Sequence, residues 1–493
     1  MTATERLVAQ ESLDRRVGRG LGWSAAGNIV IRLVNVASSI LMARLIAPDQ
    51  FGVFAVAFTI WMIVGTLAEF GLGADLVRAE DPVGRAPTIA TLSLGMGVGF
   101  AVTMALSADL LARAFGSPDS AGVIRLLALG AVVMGLGTVP AAMMQRDYRQ
   151  AGLFALNGFG AVTSTTTMVV LAASGAGAVS LAWGQLVGQS TLVLGLYLAT
   201  RIVPRFGFDP EIARDSAGFC LPLALANVLS WLVLTADNLV VARVLDPERL
   251  GLYVIAFNVS SWPMSAVGQA VRSVALPAFA QLEGPRRGEA LVRVVGPLLA
   301  VAGLLAVALA ALAEPLVTFL YGSAWTAASA ALVGLAVFGG MRVVIDVVAT
   351  FLIALGATAE VLVVQVLWLL VMVPTMVVGV EWFGLAGAGW VHVVVVLAVV
   401  LPAYLVCLRR FEVDVMAFLA ACVRPVVGLI PAAVACWWIG AQDASPFALL
   451  MAGGLAVTLL YAVPMAPWWI RSIRLLRATT RQPTADSLMG PDA

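Results

Sequence analysis

Ser24, Asn28, Arg32, Asn35 and Ser39 recur at three- and four-residue intervals within an otherwise apolar run. That spacing predicts a polar stripe along one face of a helix. An arginine near the middle of a membrane helix costs about 2.5–3.5 kcal/mol even on lenient insertion scales. The stripe must therefore line a polar cavity or form a hydrogen-bonded seam with another helix. A second stripe runs through Asn258, Ser261, Ser265, Gln269 and Arg272. Arg272 lies close enough to the end of its run either to reach headgroups or to serve a cavity. Asn227, Ser230, Asp237 and Asn238 mark a third apolar run. A carboxylate such as Asp237 at mid-membrane is expected to pair with an arginine, take a proton or hold a cation. Arg342 and Asp346, four residues apart, fall on one helical face. They can neutralise each other during insertion. Arg342 can also exchange its carboxylate for a phosphate, which suits the two-pronged guanidinium. His392 is the single histidine and reads as a hydrogen-bonded packing residue.

These groups need membrane helices to position them. The chain is 61% hydrophobic and 12% charged, with a mean hydropathy of +0.99. A soluble domain carries about 25% charged residues, so the composition is that of an integral membrane protein. The predicted fold is all-α and polytopic, with fourteen transmembrane helices. Their spans are 22–45, 51–72, 88–111, 122–144, 153–173, 178–199, 217–242, 250–273, 292–313, 326–355, 360–380, 384–407, 417–440 and 447–470. All 29 basic residues are arginine, and without lysine no Gly-x-x-x-x-Gly-Lys nucleotide loop can exist. Cys220, Cys407, Cys422 and Cys436 lack metal or redox spacing and read as small core residues. Neither cofactor nor metal is expected.

The sequence also repeats itself. Ala43 to Phe54 (ARLIAPDQFGVF) recurs 199 residues later as Ala242 to Tyr253 (ARVLDPERLGLY), and Asn28, Ala57 and Phe58 match Asn227, Ala256 and Phe257. An even number of predicted crossings separates the copies, so both enter from one side as a parallel repeat. Two six-helix lobes are expected, 21–200 and 201–410. They are preceded by a surface segment at 1–20 and followed by two extra helices at 411–470 and a basic, then disordered, tail at 471–493. Arginines crowd one set of loops (Arg15, Arg16, Arg85, Arg146, Arg409, Arg410), which places both termini in the cytoplasm of a multi-pass plasma-membrane protein.

The first copy, followed by Glu69-Phe70-Gly71-Leu72-Gly73, resembles Wzx-type polysaccharide flippases of the multidrug/oligosaccharidyl-lipid/polysaccharide superfamily. Asp237 to Gly251, Arg272 to Phe279, and Leu320-Tyr321-Gly322-Ser323-Ala324-Trp325 with Arg342 resemble its colanic-acid and teichuronic-acid exporter branch. The resemblance covers residues 20–410. It implies alternating access by two bundles that carry undecaprenyl-diphosphate-linked glycan from the inner to the outer leaflet, without enzymatic activity. Other membrane lipids and polysaccharide polymerase or export machinery are the implied partners, and nucleic acid is not. Carried over by position, Arg32, Arg272 and Arg342 would be cavity cations; the polar stripes themselves offer Asn28, Asn35, Asn258 and Gln269 to sugar hydroxyls. Asp237, Asn238 and Asp346 would serve ion coupling or salt bridging, and the choice between Na+, H+ and membrane potential stays open. Three rivals remain: a cation antiporter of the same superfamily, against which embedded arginine argues; a glycan polymerase or ligase, against which the short outer loops argue; and a non-transporting scaffold, which has no need for stripes of buried polar groups.

Overall fold

The computed structural model describes residues 34, 36–69, 71–147, 149–203, 205–261, 279 and 285–479. The described residues are helical, with no strand among them. In chain order the first helices are α1 (Val36–Leu45), α2 (Pro48–Glu69), α3 (Leu72–Arg78), α4 (Pro82–Leu106) and α5 (Ala108–Ala114). There follow α6 (Ser120–Arg146), α7 (Gln150–Ala173), α8 (Ala178–Thr200), α9 (Pro210–Val244) and α10 (247–261). The remainder are α11 (Pro285–Ala311), α12 (Ala313–Tyr321), α13 (Ser329–Ala354), α14 (Thr358–Val395), α15 (Leu401–Arg410), α16 (Val415–Gly440), α17 (Pro446–Val457) and α18 (Val463–Thr479).

Helix starts follow local chemistry. Asp81, Asp209, Asp414 and Ser445 each accept a backbone N–H from the first turn of the helix that follows, and Pro82, Pro210 and Pro446 stand where no donor is needed. Gly71, with φ of 70°, separates α2 from α3. Gly384, with φ of 56° and ψ of −135°, breaks α14 inside a 53-residue apolar stretch. That stretch holds the predicted eleventh and twelfth spans. Ten helices among the described residues are long and apolar enough to cross a membrane. The predicted first, seventh and eighth spans run into residues, or side chains, outside those described.

Contacts divide the chain between Gly251 and Leu252 into two compact units. In the first, α6 is the central helix, packed on α2, α4 and α8, while α7 and α8 form an antiparallel pair. Small residues bring these backbones together: a Cβ on Gly188 would lie 2.7 Å from the Gly160 carbonyl oxygen, and one on Gly184 2.8 Å from that of Ser164. By contrast, a Cβ on Gly95 or Gly99, at the same four-residue spacing on α4, would meet nothing within 4 Å among the described residues. α9, the first helix of the second sequence copy, packs on α2, α3 and α4 and so belongs to the first unit by contacts.

In the second unit α13 is the buried centre, contacted by α11 and α14. The two additional spans attach to α11 through Ala300, Ala432, Tyr461 and Met465. Both units are thus helix bundles built on one highly buried span.

Candidate functional site

In the second unit, polar side chains converge around α13. Arg342 and Asp346 lie one turn apart and are half-buried. Among the described residues the Arg342 guanidinium has no ion-pair partner. One turn before it, the Phe338 ring stacks on His392 of α14, with centroids 4.7 Å apart. His392 is buried, and its Nε2 shares a 2.9 Å hydrogen bond with the Tyr253 hydroxyl of α10. Tyr404 of α15 is buried with Gln365 and Asp346 as its polar neighbours, though its hydroxyl makes no bond of good geometry. The result is one guanidinium beside a packed set of hydrogen-bonding groups, with the Asp346 carboxylate one turn away. In a low-dielectric span a cation so placed attracts an anion strongly, because neither water nor salt screens it.

The other anticipated residues are distributed differently. Asn258 is half-buried on α10 in the second unit, and its carbonyl accepts from Ser261. Asp237 and Asn238 sit on α9 in the first unit. Asp237 is buried, and its carboxylate accepts the Asn238 backbone N–H at 2.8 Å. Arg32, Asn28, Asn35, Gln269 and Arg272 lie outside the described residues.

Two polar groupings escaped the sequence reading. On the first unit, Asp75 of α3 is 1% exposed yet takes polar contacts from three residues. Arg78 reaches it at 3.2 Å, Arg85 at 3.1 Å and the Ser216 hydroxyl at 2.8 Å. Arg85 also binds Asp215 at 2.7 Å and Ser216 at 3.1 Å. Arg146 donates to the Val77 and Ala79 carbonyls that close α3, and the Arg78 guanidinium lies 3.8 Å from the Phe219 ring centroid. Arg78 and Asp75 are three residues apart, a signal in the sequence; Ser216 is 141 residues from Asp75, which leaves none. The second grouping is Trp61 Nε1 and Gln189 Oε1, both buried, both without a hydrogen-bond partner among the described residues, and both near the Cβ position of Gly130.

Residues 41–330 match the family described as polysaccharide biosynthesis protein. That is more than half of the chain. The chain belongs to this family. It is 26% identical over 275 residues to the lipopolysaccharide biosynthesis protein WzxC of Escherichia coli (strain K12), covering 55% of this chain and 56% of that one. It is also 26% identical to the succinoglycan biosynthesis transport protein ExoT of Rhizobium meliloti (strain 1021), over 63% of this chain and 64% of the relative. The chain thus matches rather less than two thirds of the length of these relatives. Among solved structures, the lipid II flippase MurJ in an inward-closed conformation aligns with a TM-score of 0.75 at 13% identity, over 91% of this chain and 99% of that one. A multidrug resistance MATE family transporter of the MOP superfamily aligns with a TM-score of 0.60 at 19% identity, over 78% and 94%. This family member therefore has the fold of MOP-superfamily transporters and is a multi-pass membrane protein.

Proposed function

We propose that the protein is a flippase. It moves undecaprenyl-diphosphate-linked oligosaccharide from the inner to the outer leaflet of the plasma membrane, by alternating access, for surface polysaccharide synthesis. It is a carrier rather than an enzyme, and both termini lie in the cytoplasm. The observation that carries this reading is Arg342, a half-buried cation inside a membrane helix that forms no ion pair among the described residues. An embedded arginine marks a substrate path, and a diphosphate head group is the anion its fork suits. Arg32 and Arg272 join it as cavity cations, while Asn28, Asn35, Asn258 and Gln269 serve the sugar hydroxyls. The relatives named for lipopolysaccharide and succinoglycan biosynthesis support the glycan half of the substrate.

The energy source is a Na+ or H+ gradient or the membrane potential. Asp237, buried on α9 beside Asn238, is the coupling carboxylate, and Asp346, one turn from Arg342, serves ion coupling or salt bridging. Partners are the lipid-linked glycan, surrounding lipids and the polymerisation or export machinery. Proteoliposomes containing the purified protein and a fluorescent undecaprenyl-diphosphate hexose test the reading by quenching from outside. Loss of the protected fluorescence at a rate set by the amount of protein is expected. Movement of a cationic dye with none of the lipid probe would overturn it in favour of an antiporter.

A further inference from the structure

The Asp75–Arg85–Asp215–Ser216 node ties a helix of the second sequence copy to the first unit. α9 opens that copy, since Asn227 within it matches Asn28 at the 199-residue offset. By contacts, however, α9 lies in the first unit. Its starting end is fastened twice. Arg85 of α4 bonds Asp215 and Ser216, and Ser216 bonds Asp75 of α3. Just before α9, Gly207 N donates to Thr91 Oγ1 and Asp209 N to Thr88 Oγ1, each at 3.1 Å.

The same offset maps Asp75, Arg78, Arg85 and Asp215 onto Val274, Pro277, Gly284 and Arg16. These four charges are therefore not repeated at that offset in the sequence. Alternating access in a parallel-repeat carrier moves one copy against the other. A helix that belongs to one copy by descent and to the other by contact must exchange its neighbours during that movement.

We propose that this node is a releasable latch: the contacts of Asp215 and Ser216 with Arg85 and Asp75 form and break once in each transport cycle. The inference rests on the carrier reading above. The chemistry of the node suits release. Asp75 keeps Arg78 and Arg85 when α9 leaves, so no buried carboxylate is abandoned without a counter-charge. The group that departs, Asp215, has a side chain 61% exposed, and Arg85 is 21% exposed, so water can take over both ends of the broken pair. Arg146 remains on the Val77 and Ala79 carbonyls and holds α3 in place throughout.

A reversible tether tests the latch. In a variant with all four native cysteines replaced by serine, Arg85→Cys and Asp215→Cys are bridged by a reducible bis-methanethiosulfonate. The variant is then assayed in proteoliposomes with the fluorescent undecaprenyl-diphosphate hexose. Bridging should slow movement of the probe at least tenfold, and reduction should restore it. A bridged protein that moves the probe at more than half the reduced rate overturns the latch. A second measurement does not depend on substrate: spin labels on Val83→Cys and Glu211→Cys, in the same serine background, report the distance between the starts of α4 and α9. Two distance populations are expected, and Asp215→Asn with Ser216→Ala should shift weight to the longer one. A single population that these substitutions leave unmoved overturns the latch. If even the protein with native Arg85 and Asp215 fails to move the probe, the carrier reading fails, and the label distances alone decide the latch.

Discussion

The carbonyl oxygen of Pro247 occupies the place where a Cβ on Gly52 would stand. The relationship is reciprocal, because the Pro48 carbonyl oxygen lies 2.8 Å from the Cβ position of Gly251. Gly251 is the repeat partner of Gly52, and Pro247 that of Pro48. The two copies of the motif therefore meet through the same residues, each glycine against the other's proline. Absence of a side chain lets the backbones approach closely, which explains glycine at this place in both copies.

Gly52→Ala should destabilise the protein by about 1–3 kcal/mol, the usual result of forcing a group into a packed site. Gly251→Ala should cost less, because its neighbours stand farther away. Gly95→Ala is the control: its Cβ would meet nothing within 4 Å among the described residues, so helix propensity alone acts and stability should rise by up to about 1 kcal/mol. Thermal unfolding in detergent gives the order, and equal effects at Gly52 and Gly95 would contradict it.

Removing the Asp75 carboxylate leaves Arg78 and Arg85 facing a site built around a negative charge. Asp75→Ala should cost about 2–4 kcal/mol, somewhat below the full value for a broken buried pair because both guanidinium groups reach solvent. Asp109→Ala, which breaks the exposed pair with Arg125, should cost under about 1 kcal/mol. Chemical or thermal unfolding of the two variants side by side checks the contrast.

Tyr253→Phe removes the hydrogen bond to the buried His392 and should cost about 1–3 kcal/mol. In a double-mutant cycle with His392→Phe, the second substitution should cost less than it does alone, because their shared bond is lost only once. Additive losses would show that the two residues contribute separately.

Much of this architecture is legible in the chain before folding. Apolar runs, Asp-Pro and Ser-Pro helix starts and the duplicated motif are local or periodic signals, so α4, α9 and α17 begin where their caps stand. The Gly-x-x-x-Gly spacing was less informative: Gly184 and Gly188 pack α7 against α8, while a Cβ on Gly95 or Gly99 would meet nothing within 4 Å among the described residues. Spacing states which residues share a helical face and is silent on what that face meets. The same limit applies to the site. Arg342 and Asp346 share a face of α13, but the approach of His392, Tyr253 and Tyr404 depends on three other helices. Asp75 was hidden among apolar neighbours, and its Ser216 partner is brought to it by tertiary packing.

The central claim is that Arg342 binds the diphosphate of a lipid-linked glycan. Its most direct test is the affinity of the nanodisc-embedded protein for bare undecaprenyl diphosphate, compared between wild type, Arg342→Lys and Arg342→Gln. Binding should weaken at least tenfold in Arg342→Gln, a loss of about 1.4 kcal/mol or more. Arg342→Lys should fall between, since it keeps the charge and loses the fork. Unchanged affinity in well-folded Arg342→Gln would contradict the account.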